Sequence, residues 1–417
     1  MKYSEENRET ILVLGNGFDI AHGLPTSYID FIRFEQVIKD IVLTDNEEID
    51  FDIIFQNREI NKRVGQKIRE YTGNITKTAC MEGNLFSQKA IWKRLLENNF
   101  WISHFEHSRN IGEGWIDFEA EMGDVLSRID KLARIKEDNE IVSLPELVDF
   151  GLIDMTDYLG DEACTIEDII KNLLDDLNKL RRALEIYFSD YVEVLSLTED
   201  SKVIWKIKPT KVISFNYTKT YERTYGQDLE GIEYTYIHGI ADARRLEDDN
   251  DMVLGIDEFL NEEEKNQRLL CIDFKKYYQR LVYCCSRDAE VWADRISAED
   301  LAEEAAKDYV LNDGVQITFV ERNEFSNPVN YKNAYLAQQK ANDDMFIKHR
   351  IIIFGHSLGE SDKYILRKLL LHNNTEVVIY YHNKKSHRNI IKNLVRVIGQ
   401  DELIMRTGNK RIVFEHT

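Results

Sequence analysis

The sequence predicts an α/β protein: a Rossmann-like, mostly parallel sheet interrupted by a large α-helical insertion. Three observations predict it. Residues 10 to 14, Thr-Ile-Leu-Val-Leu, form a short apolar run that stops at Gly15, the pattern of a buried parallel strand entering a glycine turn. From about Tyr28 to Leu197 the apolar spacing is helical, with few strand candidates. Strand-like segments then return with helical stretches between several of them, as a parallel sheet with crossover helices requires.

Within the helical stretch the clearest element opens at Thr165. Thr165 caps, Asp168 sits three residues on, and Ile166, Ile169, Ile170, Leu173, Leu174, Leu177, Leu180 and Leu184 recur at helix period. The later strand candidates are Lys211 to Phe215, Glu233 to Ile237, Met252 to Leu254, Arg350 to Phe354, Glu376 to Tyr381 and Arg411 to Phe414. Helices are expected over about Glu262 to Cys284, Ser297 to Tyr309 and Lys363 to Leu371. With only four prolines and no repeat or linker to mark borders, the division is residues 1–27 and 203–417 as the core and 28–202 as the insertion.

Composition limits the function. At 43% apolar and 31% charged residues the chain reads as globular, and no run approaches the roughly 20 apolar residues of a membrane span. The start lacks a secretion-signal pattern, so a cytoplasmic location is expected. Five cysteines, Cys80, Cys164, Cys271, Cys284 and Cys285, make no CxxC pair, which argues against a disulfide framework or a cysteine zinc site. A net charge of −21 repels polyanions, so nucleic acid is disfavoured as a partner unless a local basic patch defeats the global field.

Four segments carry candidate chemistry. In Gly15-Asn16-Gly17-Phe18-Asp19, followed by His22 and Gly23-Leu24-Pro25, glycines permit a tight turn whose backbone approaches a phosphate. The third glycine of GxGxxG is replaced by Ile20, so the alternative is a plain turn. In Ile213-Ser214-Phe215-Asn216-Tyr217-Thr218 a strand ends in an amide able to bind a ribose hydroxyl or a water. In Tyr236-Ile237-His238-Gly239 a strand ends in a histidine suited to general-base work. In Gly355-His356-Ser357-Leu358-Gly359 the GxSxG of serine hydrolases is present, but only 60 residues follow Ser357, which leaves Asp362 or Asp401 and His382, His387 or His416 as poor triad partners. Ser357 is instead expected to bond a ribose or phosphate. Asp117, Glu121 and Asp124 share a helix face, more often a solvated stripe than a metal site; His104 and His107 lack HExxH spacing; and runs such as Glu262-Glu263-Glu264-Lys265 read as exposed helix surface. No metal site is expected.

Together the glycine segment through Tyr28, the Trp115-Ile116-Asp117-Phe118-Glu119 block, Phe215-Asn216-Tyr217-Thr218, Ile237-His238-Gly239 and Gly355-His356-Ser357-Leu358 resemble the bacteriophage abortive infection AbiH family across nearly the whole chain. The same blocks resemble a remote sirtuin NAD-binding core, with Gly15, Gly17, Gly23 and Pro25 at the sirtuin spacing and His238-Gly239 in place of the catalytic His-Gly. Thr218 departs from the sirtuin aspartate, and the missing cysteine zinc module argues against a deacylase. The resemblance implies an antiphage effector that hydrolyses NAD, or a related nucleotide, as substrate with no cofactor. Asn216, His238 and Asp19 would be catalytic, and Gly15, Asn16, Gly17, Phe18, His22, Gly355 and Ser357 would hold the nucleotide. A phage-derived or operon-encoded trigger and a homo-oligomer are further expected partners. The rival readings are a metal-dependent nuclease toxin working through Asp117, Glu119 or Glu121, and a non-catalytic nucleotide sensor.

Overall fold

The computed structural model describes residues 8–43, 70–71, 88–107, 117–137, 139–160, 163–197, 199–227, 229, 231–246, 251–283, 285–312 and 348–417. Trp115, Ile116, Cys80 and Cys284 lie outside them. The sheet is built from β1 (Glu9–Leu14), β2 (Lys211–Ser214), β3 (Glu233–Tyr236), β4 (His349–Phe354), β5 (Thr375–Tyr381) and β6 (Ile412–His416). All neighbours pair in parallel, in the order β3-β2-β1-β4-β5-β6. This is the doubly wound Rossmann order, in which the chain leaves β1 towards one edge, returns, and continues on the other side.

Strand periodicity explains how the sheet is covered. Ile11 and Val13 point into one apolar layer with Ile213, Ile351, Ile353 and Val377, while Leu12 and Leu14 point into the other with Val212, Ile352 and Phe354. Both faces are apolar, as a parallel sheet needs. Between β1 and β2 the chain forms α1 (Asn16–Ala21) and then helices that include α2 (Phe118–Ala133) and α3 (Ile166–Ile186). In α3 the Thr165–Asp168 capping box is formed and Ile169, Leu173, Leu177, Leu180 and Leu184 are buried. The helices from Tyr28 to Val192 share one large core, which Met252, Leu254, Ile256, Cys271 and Phe274 also enter from the segment after β3.

Two expected elements differ. Met252 to Leu254 is fully buried but joins no strand of the sheet: Val253 N–H donates to His238 O at 2.9 Å, and Leu254 N–H to Gln279 Oε1 at 3.0 Å. Its apolar character comes from packing into the helical core, a signal that composition cannot separate from a strand. The stretch from Glu262 is not one helix but turns, a 3₁₀ turn at Ile272–Phe274 and α4 (Lys276–Val282). The break comes where Ile256 N–H donates to Phe274 O and Lys276 N–H donates to Ile256 O, which diverts the backbone from helical pairing.

The turns after β1 and β4 are pressed together. Gly15 N–H donates to Phe354 O at 3.2 Å and Gly17 N–H to Gly355 O at 2.8 Å. A Cβ on Gly355, whose φ is +70°, would sit 2.1 Å from Phe18 N, and one on Gly15 would sit 2.5 Å from His356 Cα. Gly355→Ala is therefore expected to combine left-handed strain with overpacking and cost about 3 kcal/mol, read as a lowered urea midpoint. Gly231→Ala, also at positive φ but with nothing within 4 Å of the added Cβ, should cost only about 1 kcal/mol. Equal losses at the two positions would contradict the close approach.

Candidate functional site

In the doubly wound order, ligands sit beyond the carboxyl ends of the strands where the winding reverses, here between β1 and β4. A cleft of about 440 Å³ lies there, within the range of small-molecule sites. The turns after β1, β2, β3 and β4 contribute Gly15, Asn16, Gly17, Asp19, Asn216, His238, Gly355 and Ser357 to its lining. From the helical side come Tyr28, stacked on Phe118 with centroids 4.2 Å apart, and Glu119 of α2.

Asn216 clamps the turn: its Nδ2 donates to Gly15 O at 3.1 Å, and its Oδ1 is buried without a hydrogen-bond partner among the described residues. Asp19 is 1% exposed and accepts from Thr218 Oγ1 at 2.6 Å, while its Oδ1 is likewise unpartnered. Burial pushes its carboxyl up to about 6, against the hydrogen bonds from Thr218 and Thr220. Thr218 thus serves the Asp19 carboxylate. Asn16 is held by Thr26, whose carbonyl accepts from Nδ2 at 3.1 Å.

His238 is the centre of the second cluster. Its Nε2 lies 3.3 Å from Asp362 Oδ1, and its buried Nδ1 has no partner among the described residues. Burial lowers its pKa, with Lys276 adding to the effect and Asp362 opposing it. His356 faces the other carboxylate oxygen, with Nε2 3.5 Å from Asp362 Oδ2, and its Nδ1 accepts from Leu358 N–H at 2.9 Å. That bond fixes the His356 tautomer, so Nε2 carries the hydrogen that faces Asp362. Lys276 of α4 completes the network, with Nζ 2.7 Å from Glu119 and 3.8 Å from Asp362. Burial alone would raise Asp362, but Lys276 and the two histidines hold it well below the usual carboxylate range. Burial likewise opposes the charge on Lys276, which Glu119 and Asp362 more than restore.

Two sequence-predicted nucleotide contacts are corrected. Phe18 and His22, one helical turn apart on α1, point away from the cleft into the core under β1. Phe18 packs on His22 at 4.3 Å and on Phe354 and Tyr225 at 6.1 Å; His22 bonds Phe18 O and the Tyr225 hydroxyl. The glycines also act differently from a free amide cradle, since the N–H groups of Gly15, Gly17 and Phe18 are all spent on protein carbonyls. What they provide is the close approach of two turns. Ser357 lies exposed on the rim, and neither ring nitrogen of His356 is directed to it. Asp117 caps α2, Asp124 pairs with Arg128, and Glu121 lies 3.7 Å from His104, whose other nitrogen meets Asp154. Among the described residues no group of three metal-ligating side chains converges. Sequence reasoning missed Lys276 entirely and weighed Asp362 only as a triad acid. A lysine inside an apparently helical, charge-rich stretch carries no local mark of burial.

The model of the family described as bacteriophage abortive infection AbiH matches residues 11–382. The chain belongs to this family. That span takes in every residue of the cleft named above, from Gly15 to Asp362. No curated protein and no solved structure matches the chain. No described helix of this AbiH-family protein is long and apolar enough to cross a membrane.

The raised Asp19 carboxyl gives a stability prediction. Its folded pKa of about 6 exceeds its unfolded value of 3.8, so its ionisation opposes folding above that window and is neutral below it. Asp19→Asn should therefore stabilise by about 2–3 kcal/mol at pH 7.5. The gain should shrink as pH falls through 6 towards 4. Thermal melts of both proteins across that range check it, and a gain independent of pH would show that Asp19 is already ionised at low pH in the fold.

Proposed function

We propose that this protein is an abortive-infection effector that hydrolyses the nicotinamide–ribose bond of NAD or of a related nucleotide. The observation that carries the reading is His238: a buried neutral imidazole whose Nε2 faces Asp362 while its Nδ1 is left without a partner at the cleft wall. A carboxylate at one ring nitrogen sets the tautomer and leaves the other as an acceptor for a proton, the arrangement a general base needs.

In the reaction, the bond between C1′ and the pyridinium nitrogen breaks and its electron pair leaves with nicotinamide. Water adds to C1′, and its proton passes to His238 Nδ1. The products are nicotinamide, ADP-ribose and a proton. Asp362, ionised and held in place by Lys276, stabilises the imidazolium that forms. Asn216 Oδ1 places the water or a ribose hydroxyl, and Asp19 Oδ1, ionised above pH 6, faces the positive charge that develops on the ribose. The rim residues Asn16, Gly17, Gly355 and Ser357 seat the rest of the nucleotide. The family's association with abortive infection of phage supports a chemistry that depletes the host of an essential metabolite.

His238→Ala and Asn216→Ala should each slow NAD loss by about 10²- to 10⁴-fold with the fold intact. The measurement is mass spectrometry of NAD, nicotinamide and ADP-ribose, made both with purified protein and in phage-challenged cells carrying wild type or variant. NAD levels that stay constant in wild-type samples of both kinds would sink the reading. Tight binding of unchanged NAD would point to a sensor instead.

A further inference from the structure

A different surface departs from the rest of this acidic chain. Between Glu376 and Asp401 the sequence contains no aspartate or glutamate, although the whole chain carries a net charge of −21. The segment forms the end of β5 and α6 (Lys384–Ile398), with α5 (Lys363–Leu370) packed beside it. Lys384, Arg388, Lys392 and Arg396 follow one another at steps of four residues, which puts neighbours in one slanting row that winds about 120° around the helix, and all four are exposed. Lys385 is exposed beside the first. Among the described residues none of the five makes an ion pair or side-chain hydrogen bond.

Like charges four apart destabilise a helix, so this line is maintained against its own repulsion. Other features hold the helix: the Asn383–Ser386 capping box, and Ile390, Leu394, Val397 and Ile398 buried against the sheet. Successive cations stand about 6 Å apart along the axis. That step is comparable with the separation of successive phosphates on an extended nucleic-acid strand. At the start of the line an aromatic group gathers at the carboxyl ends of β5 and β6. Tyr381 stacks on His387 with centroids 4.2 Å apart and planes 9° apart, His416 meets Tyr381 edge-on at 5.4 Å, and His382 and His416 are exposed. The nearby carboxylates are few: Glu360 is exposed on the short turn that packs against this helix, Glu415 is exposed on β6, Asp401 and Glu402 lie past the far end of the helix, and Glu402 is engaged with Arg406.

We propose that this face is a binding track for a single nucleic-acid strand. The four-cation line would follow its phosphates, and the exposed His382 and His416 rings beside the Tyr381–His387 pair would offer an aromatic surface to a base at one end. Cations that trace a backbone beside aromatic faces are the general means of holding single strands without sequence readout. The global negative charge does not forbid it, because at 0.1 M salt charges beyond about 10 Å are largely screened and the local line dominates. The track also adjoins the cleft mouth, since Asn393 Nδ2 of the same helix donates to Ser357 O at 2.8 Å.

The test is fluorescence anisotropy of the full-length protein with labelled single-stranded DNA and RNA oligonucleotides, in competition with a duplex of equal length and with polyglutamate of equal charge. The partner variant is Lys384→Gln/Arg388→Gln/Lys392→Gln/Arg396→Gln, all exposed positions, with circular dichroism to verify its fold. Four phosphate contacts predict a salt slope of about −3, or an affinity loss of roughly 50-fold between 50 and 200 mM salt. The quadruple variant should bind at least about tenfold more weakly and with a flattened slope. The proposal is overturned if the wild type binds no single strand at 50 mM salt, if the folded variant binds undiminished, or if duplex or polyglutamate competes as well as the unlabelled strand. Activity on NAD plays no part in the readout, so this surface and the cleft stand or fall separately.

Discussion

Two turns that no side chain separates hold the centre of this protein together. The backbone after β1 and the backbone after β4 touch through Gly15, Gly17 and Gly355, with contacts closer than any Cβ permits. Because those strands flank the point where the winding reverses, the contact fixes the floor of the cleft and aligns the turns that line it. Asn216 extends the same clamp to the turn after β2 by bonding Gly15 O. The glycines thus act through proximity, while side chains from four strand ends supply the polar atoms.

A second constraint is electrostatic. Glu119 arrives from the helical layer, Lys276 from the segment after β3, and Asp362 from the loop after β4, and they meet beside His238 and His356. Removing such charges from water is expensive unless each has a partner, so the three elements are bound to one arrangement. Lys276 thus stands against two carboxylates, Glu119 and Asp362, beside two histidines. Burial lowers the pKa of His238, and Asp362 opposes that shift from the other side of the ring.

The chain's charge is also unevenly laid out. An acidic protein with a net charge of −21 reserves a carboxylate-free stretch for one helix at the rim of its cleft. Capping and apolar burial hold that helix, which frees its outer face from any stabilising duty and leaves it available for recognition.

Local pattern was enough to reveal the sheet and the long helix. Short apolar strands ending at Gly15, Asn216, His238 and Gly355, and the Thr165 capping box, are written in adjacent residues and read directly as βα units and a helix start. The likeness of ordered blocks likewise carried the family, because it depends on sequence alone. Burial and long-range pairing were not legible. Nothing near Met252 to Leu254 distinguishes an edge strand from a buried core segment, and nothing near Phe18 or His22 tells which face of a short helix turns inward. The partnership of Lys276 with Glu119 and Asp362 spans more than 200 residues of chain, from position 119 to position 362. Such a charge acquires its meaning only from the groups that desolvate and pair it, and those are chosen by the tertiary fold.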